Sequence, residues 1–241
     1  QEFNKAISKS NFIVGHNISF DTQVTGILAS DLKWADARTT GTINATSVTS
    51  ITGTGADVIE VMESTGISNF GTAETIILTD NPSVTQLNSI LAKTTAPVTA
   101  TLVASMSDLN ALTETGNNLN ISVTGTYTTA ELTALNAKTI GPVTVSGTST
   151  ITGTLSEVEA VIAAGGITDI AKMNVTVTGG GITVAKLNTL LGTISAGTIT
   201  ATITDTDTTA LDDISRKGNY QITIASTSAA GTTPFVPFFQ E

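Results

Sequence analysis

The chain has 241 residues, a net charge of −10, 4% aromatic and 12% charged residues, and no cysteine. Acid in excess of scattered bases disfavours nucleic acid, whose phosphates need clustered Lys and Arg, and the missing thiols exclude disulfides, thiolate metal sites and cysteine nucleophiles. Its 48 threonines favour pleated, hydroxyl-covered surfaces, and the length suits one large domain or an elongated repeat array.

Residues 1–40 show no repeat and read as an N-terminal arm or cap. Phe12-Ile-Val-Gly and Asn17-Ile-Ser-Phe read as strands, and Gly26 to Trp34 as a short helix or a loop. The segment is mildly basic through Lys5, Lys9, Lys33 and Arg38. A first residue of Gln rather than Met fits a processed or excised chain. No apolar run approaches the roughly 18 residues that a membrane-spanning helix needs.

Residues 41–225 carry a repeat. A short alternating strand recurs at Val98-Thr-Ala-Thr, Ile121-Ser-Val-Thr, Val143-Thr-Val-Ser, Val175-Thr-Val-Thr, Ile199-Thr-Ala-Thr and Ile222-Thr-Ile-Ala. Short helical signatures alternate with these strands. Their first apolar anchors are Val58, Leu87, Leu109, Leu132, Val158, Leu187 and Leu211, and a second anchor follows three residues later in each. The anchors are 22 to 29 residues apart, the length of one strand plus one short helix per coil.

The helix starts are encoded locally. Thr54, Ser83, Ser105, Thr128, Thr154 and Thr183 stand four residues before their anchors. Asp57, Gln86, Asp108, Glu131 and Glu157 stand one residue before. This is the spacing of a capping box, in which the hydroxyl accepts from an early helix N–H and the acid or amide reaches back to the cap's own N–H. Two-turn helices do not persist alone in water, so each unit must lean on its neighbours. The expected fold is an α/β solenoid of about seven strand-plus-helix coils with parallel strand stacking. Its outward face would carry Thr-x-Thr rows at Thr99/Thr101, Ser122/Thr124, Thr144/Ser146, Thr176/Thr178 and Thr200/Thr202.

Residues 226–241 form an aromatic tail. Phe3, Phe12, Phe20, Phe235, Phe238 and Phe239 cluster at the termini, where they either cap the exposed core ends or bury themselves on a neighbouring subunit. They are the candidate subunit contacts.

Catalytic and metal chemistry find little support. His16 is the lone histidine, and no nucleophile elbow exists. Asp205 and Asp207 resemble a fragment of a Ca²⁺ loop but lack its glycine and distal glutamate; with Asp212 and Asp213 they read first as acids at a helix N-terminus. No cofactor is expected beyond adventitious Ca²⁺ at that pair. Gly179-Gly-Gly181 reads as a turn. Asn17, Asn44, Asn120 and Asn174 match the glycosylation acceptor pattern, as a Thr-rich chain does by chance.

The run from Tyr127 through Glu131, Leu132, Leu135 and Pro142 to Ser146 resembles Thr/Ala-rich modules of very large bacterial surface proteins, notably cyanobacterial ones, and of structural appendage proteins of their phages. The resemblance covers residues 41–225 and implies an extracellular, cell-surface or virion location with a scaffolding role. The expected function is a non-catalytic structural subunit of a fibre, sheath or phage appendage, a homo-oligomer or polymer joined through its termini, without nucleic acid or membrane span. The alternative is a monomeric adhesin or ice-binding module using the Thr-x-Thr face.

Overall fold

A computed structural model describes residues 18–19, 26–70, 74–113, 115–145, 149–205, 208–215 and 220–224. The six hydroxyl residues singled out above all stand as helix N-caps. Each accepts from the N–H three residues on, in backbone that is extended at the cap and helical immediately after. The strands and helices alternate in this order: β1 (Ile18–Ser19), β2 (Gly26–Leu28), α1 (Ala29–Asp36), β3 (Ile43–Asn44), β4 (Ser50–Gly53), α2 (Gly55–Glu63), β5 (Ile67–Ser68), β6 (Thr75–Leu78) and α3 (Val84–Leu91). Then come β7 (Val98–Ser105), α4 (Met106–Asn110), β8 (Asn118–Thr124), β9 (Thr126–Thr128), α5 (Thr129–Asn136), β10 (Val143–Val145), β11 (Thr150–Thr154) and α6 (Leu155–Ala163). The last are β12 (Ile167–Thr168), β13 (Asn174–Thr178), α7 (Val184–Thr193), β14 (Ile199–Ile203), α8 (Thr208–Asp212) and β15 (Tyr220–Ile224), with a 3-10 turn at Ile170–Lys172 before β13.

Every strand pair among the described residues is parallel. The strands form three sheets ordered β1-β3-β5, β12-β10-β8-β7-β6-β4-β2 and β15-β14-β13-β11-β9. Short helices cover them: the anchors Val58, Leu87, Leu109, Leu132, Val158 and Leu187 are fully buried and join the inward strand residues in one continuous core. This α/β architecture is compatible with a solenoid.

Most units hold two strands, not the single strand expected. β3 and β4, β5 and β6, β10 and β11, and β12 and β13 each fall between one helix and the next. Only around β7 and β14 does a single strand separate two helices. Of the doubled strands, β3, β5 and β12 are only two residues long and carry no alternation, so a period-2 search passes over them. The structure also extends the repeat into residues 26–36, assigned above to the arm. β2 pairs with β4, and α1 buries Ala29, Leu32 and Ala35.

A longer repeat organises the whole. β2 begins at Gly26 and β9 at Thr126, 100 residues on. From these points the element series β2-α1-β3-β4-α2-β5-β6-α3-β7-α4-β8 recurs as β9-α5-β10-β11-α6-β12-β13-α7-β14-α8-β15. Ile51-Thr-Gly-Thr54 returns as Ile151-Thr-Gly-Thr154, Gly66-Ile67 as Gly166-Ile167, and Leu87-Asn88 as Leu187-Asn188. The sheet order repeats too, β2-β4-β6-β7-β8 answering to β9-β11-β13-β14-β15 and β1-β3-β5 to β8-β10-β12. β8 therefore belongs to both halves. It closes the ladder of the first through β7, with Leu102 opposite Ile121, and opens a ladder of the second through β10, with Ile121 opposite Val143.

Candidate functional surfaces

The outward face of the strands is set by their alternation. Val98, Ala100, Ile121, Val123, Val143, Val145, Val175, Ile199 and Ala201 are buried, leaving Thr and Ser on the other side. The rows stack only in part as the sequence suggested, because the ladders change partners at β8. Thr99 lies opposite Asn118 and Thr101 opposite Asn120. Ser122 lies opposite Thr144, and Thr144 opposite Thr168 with the two hydroxyls 3.0 Å apart.

The regular hydroxyl array lies elsewhere. In the second half Thr128, Thr152, Thr176 and Thr200 are successive partners, flanked by Thr126 and Thr150, by Asn174, and by Thr198, whose N–H and hydroxyl both donate to Asn174 Oδ1 at 2.8 Å. The corresponding row of the first half is Leu28, Thr52, Ile77 and Thr99. Leu28 is 46% and Ile77 40% exposed, with Val103 nearby on β7 at 55%. One half presents hydroxyls and the other is studded with aliphatics.

Of the acidic candidates, Asp205 serves the backbone. Asp205 Oδ2 accepts from the Val184 N–H at 2.6 Å, at the first turn of α7. Asp80 Oδ1 does the same for Gly55 at the start of α2, at 3.0 Å. Each acid thus satisfies a helix N-terminus one unit away, the favourable end of the helix dipole for a carboxylate. Asp207 and His16 lie outside the described residues, as do Phe3, Phe12, Phe20, Phe235, Phe238 and Phe239. Among the described residues no group of three or more His, Asp or Glu is placed to hold a metal ion, and no helix is long and apolar enough to cross a membrane. Asp212 and Asp213 sit exposed at the far end of α8, not at its start. Asn44 and Asn174, both glycosylation candidates, spend their side-chain oxygens on Thr46 and Thr198. Gly179 and Gly180, with φ of 77° and 143°, make the expected turn.

Short-range electrostatics tie neighbouring units together. Lys33 bridges Asp57 at 3.0 Å and Glu60 at 2.7 Å, Lys93 bridges Glu63, and Lys186 bridges Glu159. Lys33 holds the Asp57 carboxyl below its ordinary range, and the Thr54 hydroxyl adds to that. Glu131 and Glu157 are held low by the N–H and hydroxyl of their own caps, Thr128 and Thr154.

The joint between the halves is a residue cluster that the sequence did not announce. Tyr127 is buried there, where the first half has Ile27. Its hydroxyl makes no well-formed hydrogen bond, and burial raises the phenol above its ordinary value, with Ser149 only partly offsetting that. Thr139 is buried with its hydroxyl accepting from the Leu119 and Gly141 N–H groups, both at 2.9 Å. Lys138 reaches across to the carbonyls of Asn110 and Leu112 at the end of α4.

No family model, curated protein or solved structure matches this chain.

Proposed function

We propose that the chain winds as an α/β solenoid and serves as a non-catalytic structural subunit of an extracellular fibre, sheath or phage appendage, assembling through its two ends. The observation that carries this reading is β8, which finishes one set of parallel ladders and starts the next. Among the described residues two like halves are joined by a shared strand, an architecture that is extended by repetition. Burial of the terminal phenylalanines on neighbouring subunits would supply the cohesion, and the hydroxyl-covered strands an inert exterior. Deleting residues 232–241 and measuring particle mass by light scattering tests it. The full chain is expected to form large particles that shrink on deletion; monomers before and after would overturn the assembly reading.

A second reading is favoured by one observation. The in-register array of Thr126/Thr128, Thr150/Thr152, Asn174/Thr176 and Thr198/Thr200 is polar and regularly spaced, about 4.8 Å between parallel strands. Such a face suits an ordered water lattice, as in an ice-binding module. Thermal hysteresis that disappears in Thr152→Tyr and Thr176→Tyr variants would establish it, and no hysteresis in the parent chain would remove it.

A further inference from the structure

We propose that the C-terminal end of one copy docks on the N-terminal end of a second copy by repeating the joint that already connects the two halves of the chain. The proposal rests on the assembly reading above and specifies its contact.

The internal joint has three parts. α4 packs beside α5, with Asn110 Nδ2 donating to Glu131 Oε1 at 3.3 Å. Lys138 Nζ donates to the Asn110 and Leu112 carbonyls, a cation at a helix C-terminus. Thr139, folded over the turn to Gly141, satisfies the edge of β8 at Leu119, and β10 then pairs with β8.

Each part recurs at the outer ends. At the N-terminal end Arg38 stands where Lys138 does, Thr39 for Thr139 and Gly41 for Gly141, and the Gly41 N–H donates to Thr39 Oγ1 at 2.9 Å as in the internal turn. Arg38 is exposed, with its guanidinium 4.0 Å from the centre of the Trp34 ring. At the C-terminal end α8 closes as α4 does. Asn188 Nδ2 donates to the Asp213 carbonyl at 2.9 Å and its Oδ1 accepts from Ser215. Asn88 makes the same pair of bonds to Ala111 and Thr113. The carbonyls of Asp212 and Ile214 thus take the places of those that Lys138 grips.

The charges are complementary. The C-terminal end presents exposed Asp212 and Asp213 where α4 has Asn110 and Ala111. The incoming end brings Arg38. The one unfavourable contact is Asp31, at the place of Glu131, against Asp212. On the strand side, β1 holds against β3 the place that β8 holds against β10, with Ile18 opposite Ile43 as Ile121 is opposite Val143. β15, the equivalent of β8, takes over that place from the two-residue β1 of the next copy. The contact is heterologous, so its product is an open head-to-tail filament.

The absence of cysteine makes the test direct. Asp31→Cys and Asp212→Cys variants are mixed and treated with a short bismaleimide. Covalent dimers in the mixture, none in either variant alone, and a ladder of multimers from the double variant are the expected results. Arg38→Glu should weaken association at least tenfold, and Arg38→Glu combined with Asp212→Lys and Asp213→Lys should restore it. Large particles in the parent chain without the mixed crosslink would overturn this joint while leaving assembly standing. A parent chain that stays monomeric at every concentration would overturn both. Crosslinking within either single variant would show a symmetric contact and also overturn the proposal.

Discussion

Glu and Asp behave differently at the caps because of one methylene. Gln86, Glu131 and Glu157 reach back to the cap N–H and complete the box. Asp57 and Asp108 reach only the cap hydroxyl, at 3.0 and 2.7 Å, so their boxes are half closed. Replacing Thr154 by Ala should therefore cost about 0.5–2 kcal/mol in chemical denaturation. The completed boxes also make stability depend on pH. Glu131 and Glu157 titrate lower in the folded chain than in the unfolded one, so their contribution is complete above the unfolded carboxyl value and is lost as pH falls through the folded one. The melting temperature should drop across that acid window, and Glu131→Gln with Glu157→Gln should flatten the drop, because Gln86 shows that an amide completes the same box. An unchanged acid profile in the double variant would count against this account.

At the scale of the element, strands and helices approach closely where a side chain is missing. A Cβ on Gly53 would lie 2.6 Å from the Ala29 Cβ, on the N-terminal turn of α1. Gly153 meets Thr129 in the same way at the start of α5. A methyl has no rotamer by which to escape, so Gly53→Ala should push α1 off β4 and cost about 1–3 kcal/mol. Ala29→Gly in the same chain should recover part of it; a double-mutant cycle with no coupling would show that the approach is not tight. Helices α2 to α7 were legible in advance, since a hydroxyl cap and two anchors three residues apart are local signals. The two-residue strands β3, β5 and β12 were not, because nothing in so few residues distinguishes a strand from a turn until a neighbouring strand supplies its hydrogen bonds.

The whole molecule is governed by how its halves are coupled. Thr139 satisfies two buried N–H groups at the joint, and Thr139→Val would leave both unpaired, costing about 1–3 kcal/mol. Because each unit leans mainly on its neighbours, that loss should also separate the halves in unfolding. Trp34, the only tryptophan, reports on the first half. In the parent chain its fluorescence and the far-ultraviolet circular dichroism should change together in denaturant, and in Thr139→Val they should part. Coincident transitions in the variant would show that the two halves are held by more than this joint.

The anchor spacing of 22 to 29 residues reads in sequence as a drifting short period. It is a regular long one: Val58 and Leu87 return at Val158 and Leu187, and Leu32 at Leu132. Local chemistry, in the hydroxyl caps, the buried anchors and the alternating strands, determined where helices and strands form and which side of each is apolar, because those signals act within one turn or one pleat. Which strand lies beside which was decided only in three dimensions. A parallel ladder joins residues some twenty positions apart, and only that pairing could make β8 the end of one half and the beginning of the other.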